Sequence, residues 1–600
     1  MRKYGFFFSL FGLLIYIALL SSCSASEGEQ EEVRLTSITS LERIGPNEPL
    51  FGEAQVNIKA ARNEYESFQV VVGAITKNAQ VVNAEISDLT GKAGIIKKEN
   101  ATFYRPEYVR VGRSTPRAQL PPGLYTDPLV PFKNPYTGEI IKPFRTYQEY
   151  WPGPQVTEGY EVYPLPFEVW KGHNQPVWVD VYIPKSAAAG DYKGTFTVTL
   201  NNYPSPWGDG ADTIKTKSVS IPVNLTVWDF TLPDGPTYKN HFGGVGRLTS
   251  WFDAEVDSEK YREIEMNYCQ MFSEHRMNPP LPRSIIPAMK EDGSLDIIPE
   301  RHQKLKEYIE KLHVTDFEIP RAPIPGITNP HRKLEDAEKR KLVNYYRDYY
   351  RYVTDNGWDE RAYVYLYDEP NTVECYTRVL ELGELVREAA PQLKILVVEQ
   401  PYTQDPSWPD MDPAIDIWCG LLGFIDREST SSAIERGDEV WSYSALAQRT
   451  PRYHPQYEEY KNYDPPYWHI DAKMTSHRTP VWINYQYGIS GILYWALTYR
   501  VKDDWDPVFR LRFNGDGYFV YPGVPCGING PVTSIRLKNI RESMEDYEYL
   551  YLYEKLAGRE AVLDVVSEVA PEWWKSTNDP KVIFSAREKI ANEIMKLGNQ

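Results

Sequence analysis

From residue 240 to residue 499 the chain repeats one rhythm: a short apolar run, then an amphipathic helical stretch, then another apolar run. The runs are "NHFGGV" (240–245), "RMNPPL" (276–281), "DFEIP" (316–320) and "AYVYLYDEP" (362–370), then "KILVVEQ" (394–400), "IDIWCGL" (415–421), "EVWSYSA" (439–445) and "GILYWALTY" (491–499). Stretches such as "LEDAEKRKLVNYYRDYYRYVTDNG" and "CYTRVLELGELVREAAP" between them carry apolar residues at helical spacing. Strands separated by helices pair in parallel, because each helix returns the chain to the edge where the strand began. Eight such units close into a (β/α)8 TIM-type barrel. The expected barrel domain, with further helices at its C-terminal end, occupies 236–600. Its second and third runs are the weakest, being short and interrupted by proline.

The region before it, 33–230, has a different period. "ESFQVVVGA", "VWVDVYIP", "GDYKGTFTVTL" and "SVSIPVNLTVWDF" alternate or run apolar over short lengths between glycine and proline breaks. That pattern predicts a β-sandwich. "TLPDGPTYKN" then forms a hinge into the barrel. At the other end, "MRKYGFFFSLFGLLIYIALLSSC" joins a basic start, an apolar stretch and small residues. We read 1–22 as a lipoprotein signal peptide, because "LSSC" resembles a bacterial lipobox with Cys23 as the lipidated first residue. An ordinary signal peptide or an anchor helix is the competing reading. The acidic stretch 23–32 suits a solvated tether, and the expected location is the bacterial cell envelope, facing the periplasm or the cell surface.

Composition narrows the partners. A net charge of −17 without a basic stripe excludes a nucleic-acid-binding face. The 44 Tyr and 16 Trp residues either fill a large β core or stack on the apolar faces of sugars. Cys269, Cys375, Cys419 and Cys526 are too dispersed for a zinc site or a dense disulfide framework. "NGDG" (514–517) lacks further calcium ligands at useful spacing and reads as a tight turn. No metal or organic cofactor is expected.

In a parallel barrel the active site lies where the strands end. The fourth run ends on Asp368 and Glu369, the fifth on Glu399. Trp418 lies on the sixth, Tyr443 on the seventh and Trp495 on the eighth. His241 closes the first, and Trp505 falls in the loop after the last. Acids and rings on one rim suit a glycoside pocket. Asp368 and Glu369 have two readings: a catalytic pair, or caps, with Asn371, for the following helix. The His241, Trp418, Tyr443 and Trp495 side chains likewise bind sugar or pack the barrel. "ESMEDYEYL" places Glu542, Glu545 and Glu548 on successive helical turns, which reads as a solvated face.

"YLYDEP", "EHRMNPP", "GILYWALTYR" and the pair "NGDGYFVYPG" and "SIRLKNIRESMEDYEYLYL" resemble glycoside hydrolase family 123 and its relatives with a domain of unknown function. "AARNEYESFQVVV" and "GDYKGTFTVTL" resemble that family's N-terminal domain. The resemblance implies a retaining, substrate-assisted β-N-acetylgalactosaminidase. On it, Glu369 is the general acid and Asp368 orients the 2-acetamido group of the sugar. Two rivals stand beside it: a noncatalytic glycan-binding surface lipoprotein, and a glycosidase acting on a sugar without a 2-acetamido group. In the second, Glu399 sits about 5 Å from Glu369 as a nucleophile.

Overall fold

The computed structural model describes residues 32–146, 149–150, 155–156, 160–202, 216–499, 505 and 513–598. The signal segment, Cys23 and the tether as far as residue 31 lie outside the described residues.

The N-terminal region is β-rich and built from two facing sheets. One orders Val33–Thr39, Glu64–Ala74, Asn174–Ile183, Ala101–Val111 and Gly123–Pro131. The other orders Phe167–Val169, Ala79–Ile86, Gly190–Asn202, Thr216–Thr231 and Val56–Arg62. Alternation assigns the faces: Val177 and Val179 join Val70, Phe196 and Val223 in the core between the sheets. Trp178 and Asp180, one residue out of phase, turn to the opposite face, toward the rest of the chain.

The second region holds seven parallel strands: β1 (Lys239–Phe242), β2 (Phe317–Ile319), β3 (Ala362–Asp368), β4 (Lys394–Val398), β5 (Ile417–Leu421), β6 (Glu439–Ser444) and β7 (Gly491–Tyr494). Their paired order is β1-β7-β6-β5-β4-β3-β2, so the sheet curls into a nearly closed barrel with β1 and β2 at its free edges. The expected eight-stranded closure is corrected here. The run 276–281 forms no strand and occupies the space between those edges. Pro279 and Pro280 have no N–H to give a ladder. Asn278 bridges the gap instead: its amide N–H donates to Asn240 Oδ1 at 2.7 Å, and its Oδ1 accepts the Thr315 N–H at 2.9 Å. Tyr363, Leu396, Cys419, Trp441 and Leu493 pack against one another along the inner side of the strands. At the lower end Lys239 and Lys394 both donate to Glu439, at 2.7 and 2.5 Å.

Among the described residues six helices longer than two turns flank the strands: α1 (Glu259–Glu274), α2 (Pro299–Lys311), α3 (Asp336–Asp355), α4 (Val373–Ala389), α5 (Arg427–Arg436) and α6 (Thr479–Tyr487). Three follow: α7 (Ile535–Ala557), α8 (Arg559–Val569) and α9 (Pro580–Gly598). Helix α7 is wedged between the β-rich region and the barrel, and it is buried on every side over most of its length. Glu542, Glu545 and Glu548, assigned to a solvated face by the sequence reading, are at most 1% exposed. Each finds partners that the local sequence does not contain. Arg478 donates to Glu542 at 2.8 Å and to both oxygens of Asp546 at 2.6 and 2.7 Å. The Tyr65 amide donates to Glu545 at 2.9 Å, and the Thr237 amide and hydroxyl donate to Glu548 at 2.8 and 2.7 Å. In return α7 sends Arg541 to Asp180 at 3.0 Å and Arg536 to Asp127 at 2.8 Å, both on the β-rich side.

Candidate active site

Strand β3 stops at Asp368, and Glu369 takes a left-handed backbone with φ +44° before Pro370. A β-strand sends adjacent side chains to opposite faces, and this turn lifts that restriction. Both carboxylates are exposed at the mouth of the barrel. Neither caps the next helix. Thr372 does so, its Oγ1 accepting the Cys375 N–H at 3.3 Å. The capping alternative for Asp368, Glu369 and Asn371 is thereby removed.

Each acid has a tyrosine. The Tyr365 hydroxyl donates to Asp368 Oδ1 at 2.9 Å, and the Tyr443 hydroxyl donates to Glu369 Oε1. Tyr365 lies three residues before Asp368 on β3, and Tyr443 comes from β6 across the barrel. His241 on β1 shares a 2.7 Å hydrogen bond between its Nδ1 and the Tyr363 hydroxyl, and its ring stacks over Tyr365 with centroids 6.1 Å apart. Burial lowers its pKa to about 4, so it is a neutral imidazole at pH 7.

Glu399 follows β4 and is buried beside this rim. Gln404 Nε2 donates to its two oxygens at 3.1 and 3.2 Å, Tyr376 donates at 3.3 Å, and Gln400 donates as well. Burial raises its pKa to about 8, and the nearby Glu369 charge pushes the same way. It is therefore a neutral acid at pH 7. Trp495 stands half-buried just past β7, edge-on to Tyr499 with centroids 4.6 Å apart. Gly517, at φ +69°, leaves the space its ring occupies: a Cβ there would lie 2.5 Å from Trp495 Cζ2. The "NGDG" turn thus supports the rim, and Asp516 within it accepts the Leu446 N–H at 2.9 Å and the Tyr494 hydroxyl at 2.9 Å.

Two expected sugar contacts are corrected. Trp418 points outward from β5 into the helix layer, with its Nε1 donating to Asp438 at 3.2 Å; the inward neighbours are Ile417 and Cys419. Trp505 is packed between Phe144 and Tyr521 and donates to the Pro522 carbonyl at 3.3 Å. Tyr365 was missed by the sequence reading, although its place two positions from Tyr363 on the same strand carried the signal.

The glycoside hydrolase 123 catalytic domain matches residues 330–553, a span that contains Asp368, Glu369, Glu399 and Tyr443, and the glycoside hydrolase 123 N-terminal domain matches 135–200. This chain belongs to glycoside hydrolase family 123. A solved structure of a family 123 glycoside hydrolase from Clostridium perfringens, described in terms of glycolipid glycan hydrolysis, is similar in fold. It covers 95% of this chain and 99% of that one with a TM-score of 0.64, at 13% identity. An endo-1,4-beta-mannanase from Rhizomucor miehei is far more distant, with a TM-score of 0.26 and 11% identity over 44% of this chain and 88% of that one. A beta-glucuronidase from an uncultured Clostridium species gives 0.22 and 10% over 80% and 88%. No curated protein sequence matches this family 123 chain.

Proposed function

We propose that this family 123 glycoside hydrolase is a retaining, substrate-assisted enzyme that cleaves β-linked N-acetylhexosamine, with N-acetylgalactosamine favoured. The observation that carries the reading is the placement of Asp368 and Glu369 together at the barrel mouth, each held by its own tyrosine hydroxyl. In the proposed reaction the acetamido carbonyl oxygen of the sugar attacks the anomeric carbon. Glu369 gives its proton to the departing glycosidic oxygen. Asp368 accepts the acetamido N–H and balances the positive charge that grows on the forming oxazoline ring. Glu369, now a carboxylate, then takes a proton from water, whose oxygen reopens the ring. Two inversions at one carbon leave its configuration retained.

The surroundings of Glu399 favour this scheme over a protein nucleophile. A carboxyl that is neutral at pH 7 and already accepts from three side chains has no free charged oxygen to offer carbon. It serves instead to brace the rim beneath Glu369. The noncatalytic alternative requires no pair of exposed, individually oriented carboxylates.

The test is hydrolysis of aryl β-GalNAc, β-GlcNAc and β-Gal by wild type, Asp368→Asn and Glu369→Gln. Activity confined to the two acetamido sugars, and lowered in both variants by about 10²–10⁴-fold, is expected. Equal cleavage of β-Gal overturns substrate assistance. The proposed setting is the bacterial envelope, with Cys23 lipidated. Cys23→Ser is expected to move the protein from the membrane fraction to the soluble one, and unchanged membrane retention would count against the anchor.

A further inference from the structure

The barrel contains an inward acid and a nearby cation that the chemistry above leaves unused. Glu318 is the middle residue of β2. Phe317 and Ile319 on either side are buried against the outer helix layer, so alternation turns Glu318 to the interior. It is in register with Tyr363 of β3, whose ring is part of the interior packing. Glu318 is only half-buried, and among the described residues no donor is within hydrogen-bond distance of its carboxylate. Arg321, three residues on, is also half-buried. Its Nη2 donates to the Tyr365 carbonyl at 3.4 Å and its guanidinium carbon lies 5.9 Å from the centre of the Tyr365 ring, while its buried Nε has no partner. Acid and base attract one another but do not close into an ion pair. Burial raises the Glu318 pKa to about 7, so its carboxyl carries a proton part of the time near neutral pH. A carboxyl and a guanidinium left open in one pocket suit a ligand group that both donates and accepts. A sugar hydroxyl is such a group.

Height along the barrel selects which hydroxyl. Glu318 is level with Tyr363, five residues below Asp368 on β3. A bulge between Tyr365 and Tyr367 makes this stretch match only four residue steps of β4, Lys394 to Val398, so at about 3.3 Å per residue and a strand tilt near 40° it is about 10 Å of barrel height. One pyranose ring with a hydrogen bond at each end fits this span. With its anomeric carbon at Glu369, the ring directs its C4 and C6 edge downward.

We propose that Glu318, with Arg321, forms the floor of the sugar pocket and selects substrates by binding the hydroxyls on C4 and C6. The proposal rests on the hydrolase reading above and deepens it. Glu318 is a specificity residue, placed away from the bond that breaks. Neutral His241, stacked on Tyr365, forms the adjoining wall.

The experiment measures kcat and KM for aryl β-GalNAc and its 4-deoxy and 6-deoxy analogues with wild type, Glu318→Ala and the near-isosteric Glu318→Gln. Wild type is expected to lose about 100-fold in kcat/KM on at least one deoxy analogue, as for a hydrogen bond to a charged group. Glu318→Ala should lose a similar factor on the parent sugar and nothing further on that analogue, since the partner is already gone. Glu318→Gln should fall between, about tenfold down on the parent. Should Glu318→Ala not fold, the wild-type analogue series and Glu318→Gln decide the matter alone. Deoxy analogues turned over by wild type within about threefold of the parent overturn the proposal, as does a Glu318 effect equal on all three substrates. Either result leaves the hydrolase reading intact. A wild type inactive on every acetamido sugar overturns both.

Discussion

"YLYDEP" at the barrel mouth and "ESMEDYEYLYL" along α7 are made of the same materials, tyrosines and acids in close succession, yet they end in opposite environments. Asp368 and Glu369 are exposed, with tyrosine hydroxyls as their direct partners. Glu542 and Asp546 are fully buried and are held by Arg478, which is itself fully buried. Glu399 is a third case: buried, hydrogen-bonded by neutral groups, and given no cation, so it keeps its proton. The supply of counter-charge separates the three. A buried acid held by an arginine ties two regions together; Glu399, without one, keeps its proton at pH 7; the pair left at the open mouth faces incoming substrate.

The sharpest way to break the contrast is Arg478→Met. It leaves Glu542 buried without its cation and Asp546 with only Arg587, whose Nε is 3.5 Å away, and is expected to destabilise the protein by about 3–5 kcal/mol in urea unfolding. Activity per folded molecule should be unchanged, because Arg478 is part of the seam and has no contact with the rim. A loss below about 1 kcal/mol would show that water enters the seam and replaces the arginine. A smaller, pH-dependent effect is expected of Glu399→Gln. The folded acid holds its proton to about pH 8, whereas the unfolded one releases it near 4.5. Between those values the unfolded state binds fewer protons, so wild type loses stability as pH rises. The glutamine variant does not titrate there, and its melting temperature relative to wild type should climb across the window and level off above pH 8. A difference independent of pH would show that Glu399 is ionised in the folded protein.

Much of the barrel was legible because its signal is local. Apolar runs ending in polar residues mark strands and their ends, which placed His241, Asp368, Glu369, Glu399, Tyr443 and Trp495 around the strand ends. "RMNPPL" misled because its apolar content matched a strand while Pro279 and Pro280 removed the donors a strand requires. Trp418 was assigned to the pocket by composition, and the phase of "IWC" reverses that assignment. Three-residue β2 is too short for its alternation to stand out in the sequence, so Glu318 went unnoticed. The burial of α7 was beyond any local reading. Its helical spacing is visible, but the groups that neutralise its acids lie 64 and 68 residues away at Arg478 and further off in the β-rich region.

Those separations also order events in time. Arg541 meets Asp180 across 361 residues, Arg536 meets Asp127 across 409, and Arg587 meets Glu64 across 523. A chain emerging from the ribosome presents the acids of the β-rich region long before it presents their arginines. Until α7 and α9 exist, those carboxylates keep their hydration and the sheet face that carries them cannot close. Completion of the seam therefore waits for α7 and α9, and a chain interrupted before residue 535 lacks the charges needed to close this face of its β-rich region.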